Sequence, residues 1–135
     1  MSFKLSNMLS FFAEKENLLL QIAVAFPLLW AGVSQITNPT NWVGFVPLWL
    51  ASFVDPEAFL GIHSFFNLFI GVGLLIGFWR ILFSGAATLS LLLIVVFYGV
   101  DDVTFRDVGL AIIAFVLFLR AVKTRSMFGH PMSRH

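Results

Sequence analysis

The sequence predicts an all-α membrane protein: a transmembrane four-helix bundle with an interfacial N-terminal helix and an aromatic cap between helices 1 and 2. Of its 135 residues, 59% are hydrophobic and only 11% are charged, whereas a soluble domain has about 45–50% apolar and about 25% charged residues. A chain this short forms one domain, which cannot hide so many apolar side chains from water. Composition therefore excludes a soluble enzyme, a nucleic-acid-binding protein and a disordered chain. The absence of cysteine excludes disulfides and thiolate-bound metals.

Four apolar stretches approach the roughly 20 residues that a helix needs to cross about 30 Å of hydrocarbon. They run approximately from Leu18 to Ile36, Pro56 to Phe78, Ile81 to Gly99, and Val103 to Val122. In the fourth, Arg106 and Asp107 must lie at the interface or face the protein interior. The chain is thus divided into an interfacial segment (1–17), a transmembrane domain (18–122) and a basic cytoplasmic tail (123–135).

Local signals predict where these helices begin and end. Asp55-Pro56-Glu57 combines an N-cap acid, a proline at the first helical position and a second acid near the positive end of the helix dipole. Asn38-Pro39 ends the first span, because the residue before a proline avoids α-helical geometry. Thr104-x-x-Asp107 is a variant of the capping box and predicts the start of the fourth span. Only Trp79-Arg80 separates the second and third spans, which predicts a tight hairpin.

Orientation follows from the basic residues, which concentrate on the cytoplasmic side of membrane proteins. With both termini in the cytoplasm of a plasma (inner) membrane, seven basic residues lie inside: Lys4, Lys15, Arg80, Arg120, Lys123, Arg125 and Arg134. Outside lie Arg106 and five acids: Asp55, Glu57, Asp101, Asp102 and Asp107. The lipid bilayer is the first predicted partner, and anionic lipid explains the basic tail without nucleic acid.

Two further segments are predicted to lie at the membrane interface. Leu5, Met8, Leu9 and Phe12 share one helical face, so the N-terminal segment is expected to lie flat on the cytoplasmic surface. Residues 41–50 are too apolar for a free loop and too short to span. Their two tryptophans are typical of the headgroup level, which predicts an irregular cap over the outer mouth.

Several motifs follow one another along the core of the chain. They are Leu28-Leu29-Trp30-Ala31-Gly32-Val33-Ser34-Gln35-Ile36 with Asn38-Pro39, the apolar cap with Pro47, Gly71-x-Gly73 with Gly77 and Arg80, and Arg106-Asp107-Val108-Gly109-Leu110. In order and spacing, from about Leu18 to about Leu119, the chain resembles the DoxX family of small four-helix membrane proteins. The resemblance implies that fold and a role as a subunit or accessory factor of a membrane oxidoreductase, as in thiosulfate:quinone oxidoreductase. Two positions depart from it: Gln35 stands where many relatives have lysine, and Asn67 where they commonly have glutamate.

The predicted topology brings most membrane-embedded polar side chains to the outer ends of the spans, leaving little beyond Gln21, Thr88 and Ser90 in the cytoplasmic half. The candidate pocket comprises Trp30, Ser34, Gln35, His63, Asn67, Tyr98 and Arg106. His63 and Asn67 share a helix face at i and i+4, and an ionisable residue in a span is a functional candidate. His63 either binds a quinone carbonyl and transfers its proton, or is a structural hydrogen-bonding group between helices.

Arg106 has two interpretations. It forms a structural ion pair with Asp102, or with Asp101 and Tyr98, across the third turn; alternatively, its planar fork recognises a sulfur oxyanion or a carboxylate. Asp107 is expected to cap its own helix. Other residues have purely structural alternatives: Ser34 and Gln35 as helix-end hydrogen bonders, and Pro27 as a kink that opens a pocket beside Trp30.

The leading functional hypothesis is a DoxX-like subunit or accessory factor of a membrane oxidoreductase, with an outer-leaflet pocket for a quinone head or small anion. The alternative is a non-catalytic scaffold or assembly subunit, docked through packing faces that contain Gly71, Gly73 and Gly77. No catalytic residue, metal site or intrinsic cofactor is assigned; a lipid quinone is the candidate bound molecule. Haem is disfavoured because His130 and His135 fall in the tail, opposite His63. A membrane protein or a second copy of the chain is the expected protein partner.

Overall fold

The computed structural model describes residues 2–128, and within that range the chain is helical without a strand. Residue 1 and the last seven residues of the predicted tail, which include Arg134, His130 and His135, lie outside the described residues. The helices are α1 (Ser2–Glu14), α2 (Glu16–Thr37), α3 (Leu48–Ala51), α4 (Pro56–Ile76), α5 (Arg80–Tyr98) and α6 (Phe105–Phe128). Short 3₁₀ turns occupy Pro39–Asn41 and Val43–Phe45.

Three of the helices among the described residues are long and apolar enough to cross a membrane. They are α2 with 22 residues, α4 with 21 and α5 with 19, or about 28–33 Å at 1.5 Å per residue. Helix α6 has 24 residues, but charges on both sides leave only the stretch from Val108 to Leu119 uncharged. The chain is therefore an all-helical membrane protein.

The predicted ends of the first two spans are confirmed, with small shifts. Asp55 caps α4, its Oδ2 accepting the Ala58 N–H at 2.9 Å, and Pro56 is the first helical residue. Helix α2 ends at Thr37, directly before Asn38-Pro39. Helix α4 ends at Ile76, two residues before the approximate end expected at Phe78, because Gly77 terminates it with a left-handed φ of 73°. Gly77 is accordingly a C-cap and not part of a helix-packing face.

Helix α6 starts where predicted, directly after Thr104, but the predicted capping box between Thr104 and Asp107 does not form. The Thr104 N–H donates to Asp101 Oδ1 at 2.7 Å, and the Thr104 hydroxyl donates to the Gly99 carbonyl at 2.6 Å. Asp101 Oδ1 also accepts the Val103 N–H at 2.8 Å. These backbone donors, that of Thr104 first, lower the pKa of Asp101. The α5–α6 turn is thus organised by Asp101, and α6 begins one residue after Thr104, at Phe105.

The four long helices contact one another in cyclic order: α2 with α4, α4 with α5, α5 with α6, and α6 with α2. Buried positions on α2 recur every three or four residues: Gln21, Val24, Ala25, Leu28, Gly32 and Gln35. Glycine allows close approach of α2 and α4, since a Cβ on Gly71 would lie 2.7 Å from Leu29 Cγ. The core lies between these faces and includes Ile70, Leu74, Phe83, Ala87, Leu91, Ala111 and Ala114.

Neighbouring helices run antiparallel, which gives the molecule two unlike ends. At one end Arg120, late in α6, pairs with Glu16 at the start of α2, Nη1 to Oε1 at 2.7 Å. At the other end the last turn of α2 contacts the first turns of α4 through Gln35 and His63. Helix α1 contacts α2, and its described side chains from Lys4 to Glu14 are exposed.

Candidate functional site

A cavity of about 350 Å³ lies where α2 ends and α4 begins, closed on one side by residues 39–51. We call it the histidine cavity. Its polar lining is Gln35, His63, Ser90, Tyr98, Thr104, Arg106 and Asp107, and its aromatic lining is Trp42, Phe45, Trp49, Phe59 and Phe97. The structure thus brings four predicted pocket residues, Gln35, His63, Tyr98 and Arg106, to one cavity.

His63 is held by two side-chain amides at the same ring nitrogen. Its Nδ1 lies 3.2 Å from Gln35 Oε1 and 3.3 Å from Asn67 Nδ2, and both amides are buried, with 4% and 2% of their surface exposed. A ring nitrogen either donates or accepts. When Nδ1 carries the proton, it donates to Gln35; when it does not, it accepts from Asn67. The two amides therefore support opposite tautomers of His63.

The second ring nitrogen of His63, Nε2, has no hydrogen-bond partner among the described residues and is not fully buried. The ring stacks on Phe59 with centroids 5.8 Å apart and planes at 18°. Because Nδ1 is engaged by the amides, Nε2 accepts a hydrogen bond in one tautomer and donates one in the other.

Asn67 contacts His63 through its Nδ2 but does not itself line the cavity. Among the described residues, Asn67 Oδ1 is the one side-chain oxygen or nitrogen atom that is itself fully buried and has no hydrogen-bond partner. An unsatisfied buried acceptor costs about 1–3 kcal/mol. The amide is thus kept at a cost in stability, while its nitrogen faces the ring of His63.

Besides Asn67, two more of the seven predicted pocket residues, Trp30 and Ser34, do not line the cavity. Trp30 is 67% exposed, because it lies about 140° around α2 from Gln35 and so faces away from the other helices. Trp30 is therefore not part of the histidine cavity, contrary to its place in the predicted pocket. Ser34 is also outside the lining, but its Oγ accepts the indole N–H of Trp42 at 2.9 Å and so ties the segment 39–51 to α2.

The ion pair of Arg106 differs from the predicted one. Arg106 Nε lies 3.5 Å from Asp107 Oδ1, with the two side chains 56% and 12% exposed. Asp101 is occupied in its own turn, and Asp102 is exposed without a described partner. Asp107 therefore pairs with its neighbour instead of capping α6. Tyr98 packs its ring on Phe45 at 5.3 Å and donates to the Gly44 carbonyl at 3.4 Å.

The predicted cap supplies Trp42, Phe45 and Trp49 to the lining, but the helix residues Phe59, Ser90 and Phe97 were missing from the sequence-based prediction of the pocket. Trp49 contacts Phe97 at 5.6 Å between centroids, and Ser90, expected in the cytoplasmic half, lines the histidine cavity instead. A helical-spacing signal was present: residues 90, 94 and 97 lie three or four apart on α5, and Phe59 precedes His63 by four. Spacing alone does not say which face of a uniformly apolar helix meets a cavity.

Chemically, the histidine cavity is a mostly apolar, aromatic-lined space that contains one imidazole group. Its charged lining residues, Arg106 and Asp107, neutralise each other at the rim. Such a cavity suits an uncharged ring that carries a hydrogen-bonding oxygen. Comparisons of the chain with family models, with curated proteins and with solved structures found no match. Functional inference therefore depends on the chemistry of this cavity.

Proposed function

We propose that the chain is a DoxX-like four-helix transmembrane protein, a small subunit or accessory factor of a membrane oxidoreductase, whose histidine cavity binds a quinone head group. The observation that carries the proposal is His63, whose Nδ1 is engaged by Gln35 and Asn67 while Nε2 has no partner among the described residues and is not fully buried, in a cavity with aromatic walls. This arrangement supplies a hydrogen-bonding atom to an otherwise apolar space.

A quinone ring is flat and apolar, and its oxygens change character with oxidation state. A quinone carbonyl accepts a hydrogen bond from Nε2–H, which is present when Asn67 donates to Nδ1. A quinol hydroxyl donates to an unprotonated Nε2, which is present when Nδ1 donates to Gln35. One histidine between two amides therefore serves both forms. The electrons must pass to a partner oxidoreductase, since none of the chain's own side chains is a redox cofactor.

The charge distribution favours a quinone over a small anion. Arg106 already pairs with Asp107, and the remaining lining of the histidine cavity is neutral or aromatic. A buried anion needs a compensating charge, whereas a neutral ring needs only a surface of matching shape.

The proposal includes a fourth crossing by α6 and a cytoplasmic location of both termini in a plasma membrane. Helix α6 closes the cyclic arrangement by contacting both α5 and α2. Its charged residues Arg106 and Asp107 lie at the rim of the histidine cavity and not in mid-helix. The basic end would face the cytoplasm, residues 39–51 would cap the outer mouth, and α1 would lie on the cytoplasmic surface.

The scaffold alternative depended on docking through the packing faces that contain Gly71, Gly73 and Gly77, and these glycines have other roles in the chain. A Cβ on Gly71 would contact Leu29, and one on Gly73 would overlap Phe83, so both glycines are used inside the chain. Gly77 is a C-cap. The glycines are thus unavailable for docking to another protein.

A test of the proposal uses quinone binding measured by tryptophan fluorescence in detergent micelles. Trp30→Phe with Trp79→Phe leaves Trp42 and Trp49, which line the histidine cavity, as reporters. Decyl-benzoquinone and its quinol are titrated separately. His63→Leu should weaken both about threefold to tenfold, the effect of one hydrogen bond.

Two further variants make the test specific. Gln35→Leu leaves the tautomer supported by Asn67, so it should weaken quinol more than quinone. Asn67→Leu leaves the tautomer supported by Gln35, so it should weaken quinone more than quinol. Equal binding by wild type and His63→Leu, or a shift in the same direction for both amide variants, would contradict the proposal.

A further inference from the structure

The opposite end of the molecule contains a larger cavity, of about 570 Å³. It lies between the start of α2, the turn from α4 to α5 and the end of α6. The sequence placed the basic residues at this end but predicted no cavity there; its lining includes Asn17, Gln21, Arg80, Arg120 and Arg125. We call it the basic cavity.

The basic cavity has an excess of positive charge. Arg120 Nη1 contacts Glu16 Oε1 at 2.7 Å and Asn17 Oδ1 at 3.0 Å. The guanidinium groups of Arg80 and Arg125 have no ion-pair or hydrogen-bond partner among the described residues. Three arginines against one glutamate leave two uncompensated charges. An anion is the ligand that such a cavity recognises.

A buried amide points to the same conclusion independently. Gln21 is only 5% exposed and lines the basic cavity, but it makes no hydrogen bond with a described residue. Gln21 Nε2 and the guanidinium of Arg80 both lie next to Gly77. A Cβ added to Gly77 would lie 3.6 Å from Gln21 Nε2 and 3.3 Å from Arg80 Nε. The amide atoms of Gln21 are not fully buried, and the residue lines the cavity, so a polar ligand there can reach them. Gln21 and Arg80 therefore present donors to one small space.

Helix α5 adds a third favourable contribution. Its first residues, Arg80, Ile81 and Leu82, line the basic cavity, and its N-cap residue Trp79 supplies no side-chain cap. The N-terminal N–H groups of a 19-residue helix carry a partial positive charge that favours anions.

We propose that the basic cavity binds a phosphate group, supplied by the headgroup of an anionic phospholipid. Phosphate matches the planar fork of arginine and has enough oxygens to accept from Gln21, Arg80 and Arg125 together. Apolar residues including Leu74, Ile81 and Leu117 line the remaining wall, where the glycerol and upper acyl chain would lie. Basic cavities between helices on the cytoplasmic side are typical sites for such headgroups.

The test is lipid retention measured by native mass spectrometry on the full chain in neutral detergent. Phosphatidylglycerol, phosphatidylcholine and inorganic phosphate are the probes. Wild type should retain phosphatidylglycerol at least about tenfold better than phosphatidylcholine, and Arg80→Gln with Arg125→Gln should abolish that preference. Lys4→Gln with Lys123→Gln removes the same charge from exposed positions outside the cavity and should leave the preference intact. Gln21→Leu, which changes no charge, should weaken retention about threefold.

The outcomes separate the alternatives. Competition of phosphatidylglycerol by inorganic phosphate, lost in the arginine variant, supports recognition of the phosphate group itself. Binding of inorganic phosphate without retention of phosphatidylglycerol overturns the lipid assignment. Equal losses in the arginine and lysine variants overturn the site, because the effect would then be overall charge alone. Arg125→Gln alone, in the exposed last turns of α6, tests the same point should the double variant fail to fold.

Discussion

Single residues decide the chemistry of the histidine cavity. His63 is poised between Gln35 and Asn67, and each amide stabilises a different tautomer because both contact the same nitrogen. Asn67 also keeps a carbonyl oxygen buried without a partner. A residue that lowers stability while orienting an accessible histidine is expected at a functional position.

The unpartnered carbonyl oxygen of Asn67 predicts a difference in the free energy of unfolding between two matched variants. Gln35→Leu and Asn67→Leu each remove one amide and leave the other in contact with Nδ1. Only Asn67→Leu also removes the unsatisfied carbonyl, so it should be more stable than Gln35→Leu by about 1–3 kcal/mol. Reversible unfolding by SDS in mixed micelles, followed by circular dichroism, measures both.

The opposite order would contradict this reasoning. If Asn67→Leu is the less stable variant, Oδ1 must have a partner in the native protein, such as a buried water.

At the scale of elements, close contact between α2 and α4 positions Gln35 against His63. Glycine makes the approach possible: a Cβ on Gly32 would lie 2.7 Å from Leu68 Cγ, and one on Gly71 equally close to Leu29 Cγ. Both glycines lie on the buried faces of their helices. Small residues permit this approach in membranes, where dispersion forces between packed surfaces hold helices together.

Two glycines on α4 provide a matched test of this contact. Gly71→Ala should destabilise the protein by about 1–3 kcal/mol, because the added methyl group overlaps Leu29. Gly61→Ala should be neutral or stabilising, because no atom lies within 4 Å of its Cβ position. Thermal unfolding in the same detergent compares them. Equal destabilisation of both variants would mean that alanine lowers the stability of α4 for a reason other than contact with α2.

At the scale of the whole molecule, antiparallel helices separate acids from bases. Asp55, Asp101 and Asp102 lie at the end with the histidine cavity, whereas Arg80 and Arg120 lie at the end with the basic cavity. Each cavity therefore has its own electrostatic character. In the proposed topology the two ends would contact different aqueous compartments, with the basic end in the cytoplasm.

The absence of native cysteine allows the proposed topology to be tested directly. Asp102→Cys and Lys123→Cys place single thiols at exposed positions before α6 and near its end. In intact cells a membrane-impermeant maleimide should label the first variant, and should label the second only after permeabilisation. Labelling of both from the same side would mean that α6 does not cross the membrane.

The sequence by itself determined the helical membrane class and the ends of most helices. These depend on local physics: apolar length for α2, α4 and α5, the N-cap at Asp55, and the proline after Asn38. The start of α6 was also predicted, but its hydrogen bonds were not: Thr104 bonds to Asp101 and Gly99, residues before the helix, and not to Asp107.

Tertiary structure decided which residues meet. Gln35 and His63 are 28 positions apart and come together only because α2 and α4 pack antiparallel, while Trp30, in the same motif as Gln35, faces away. The basic cavity likewise needs the ends of three helices at once. In a chain with so many apolar residues, hydrophobicity predicts that a helix is buried in lipid or protein, but only packing distinguishes the two.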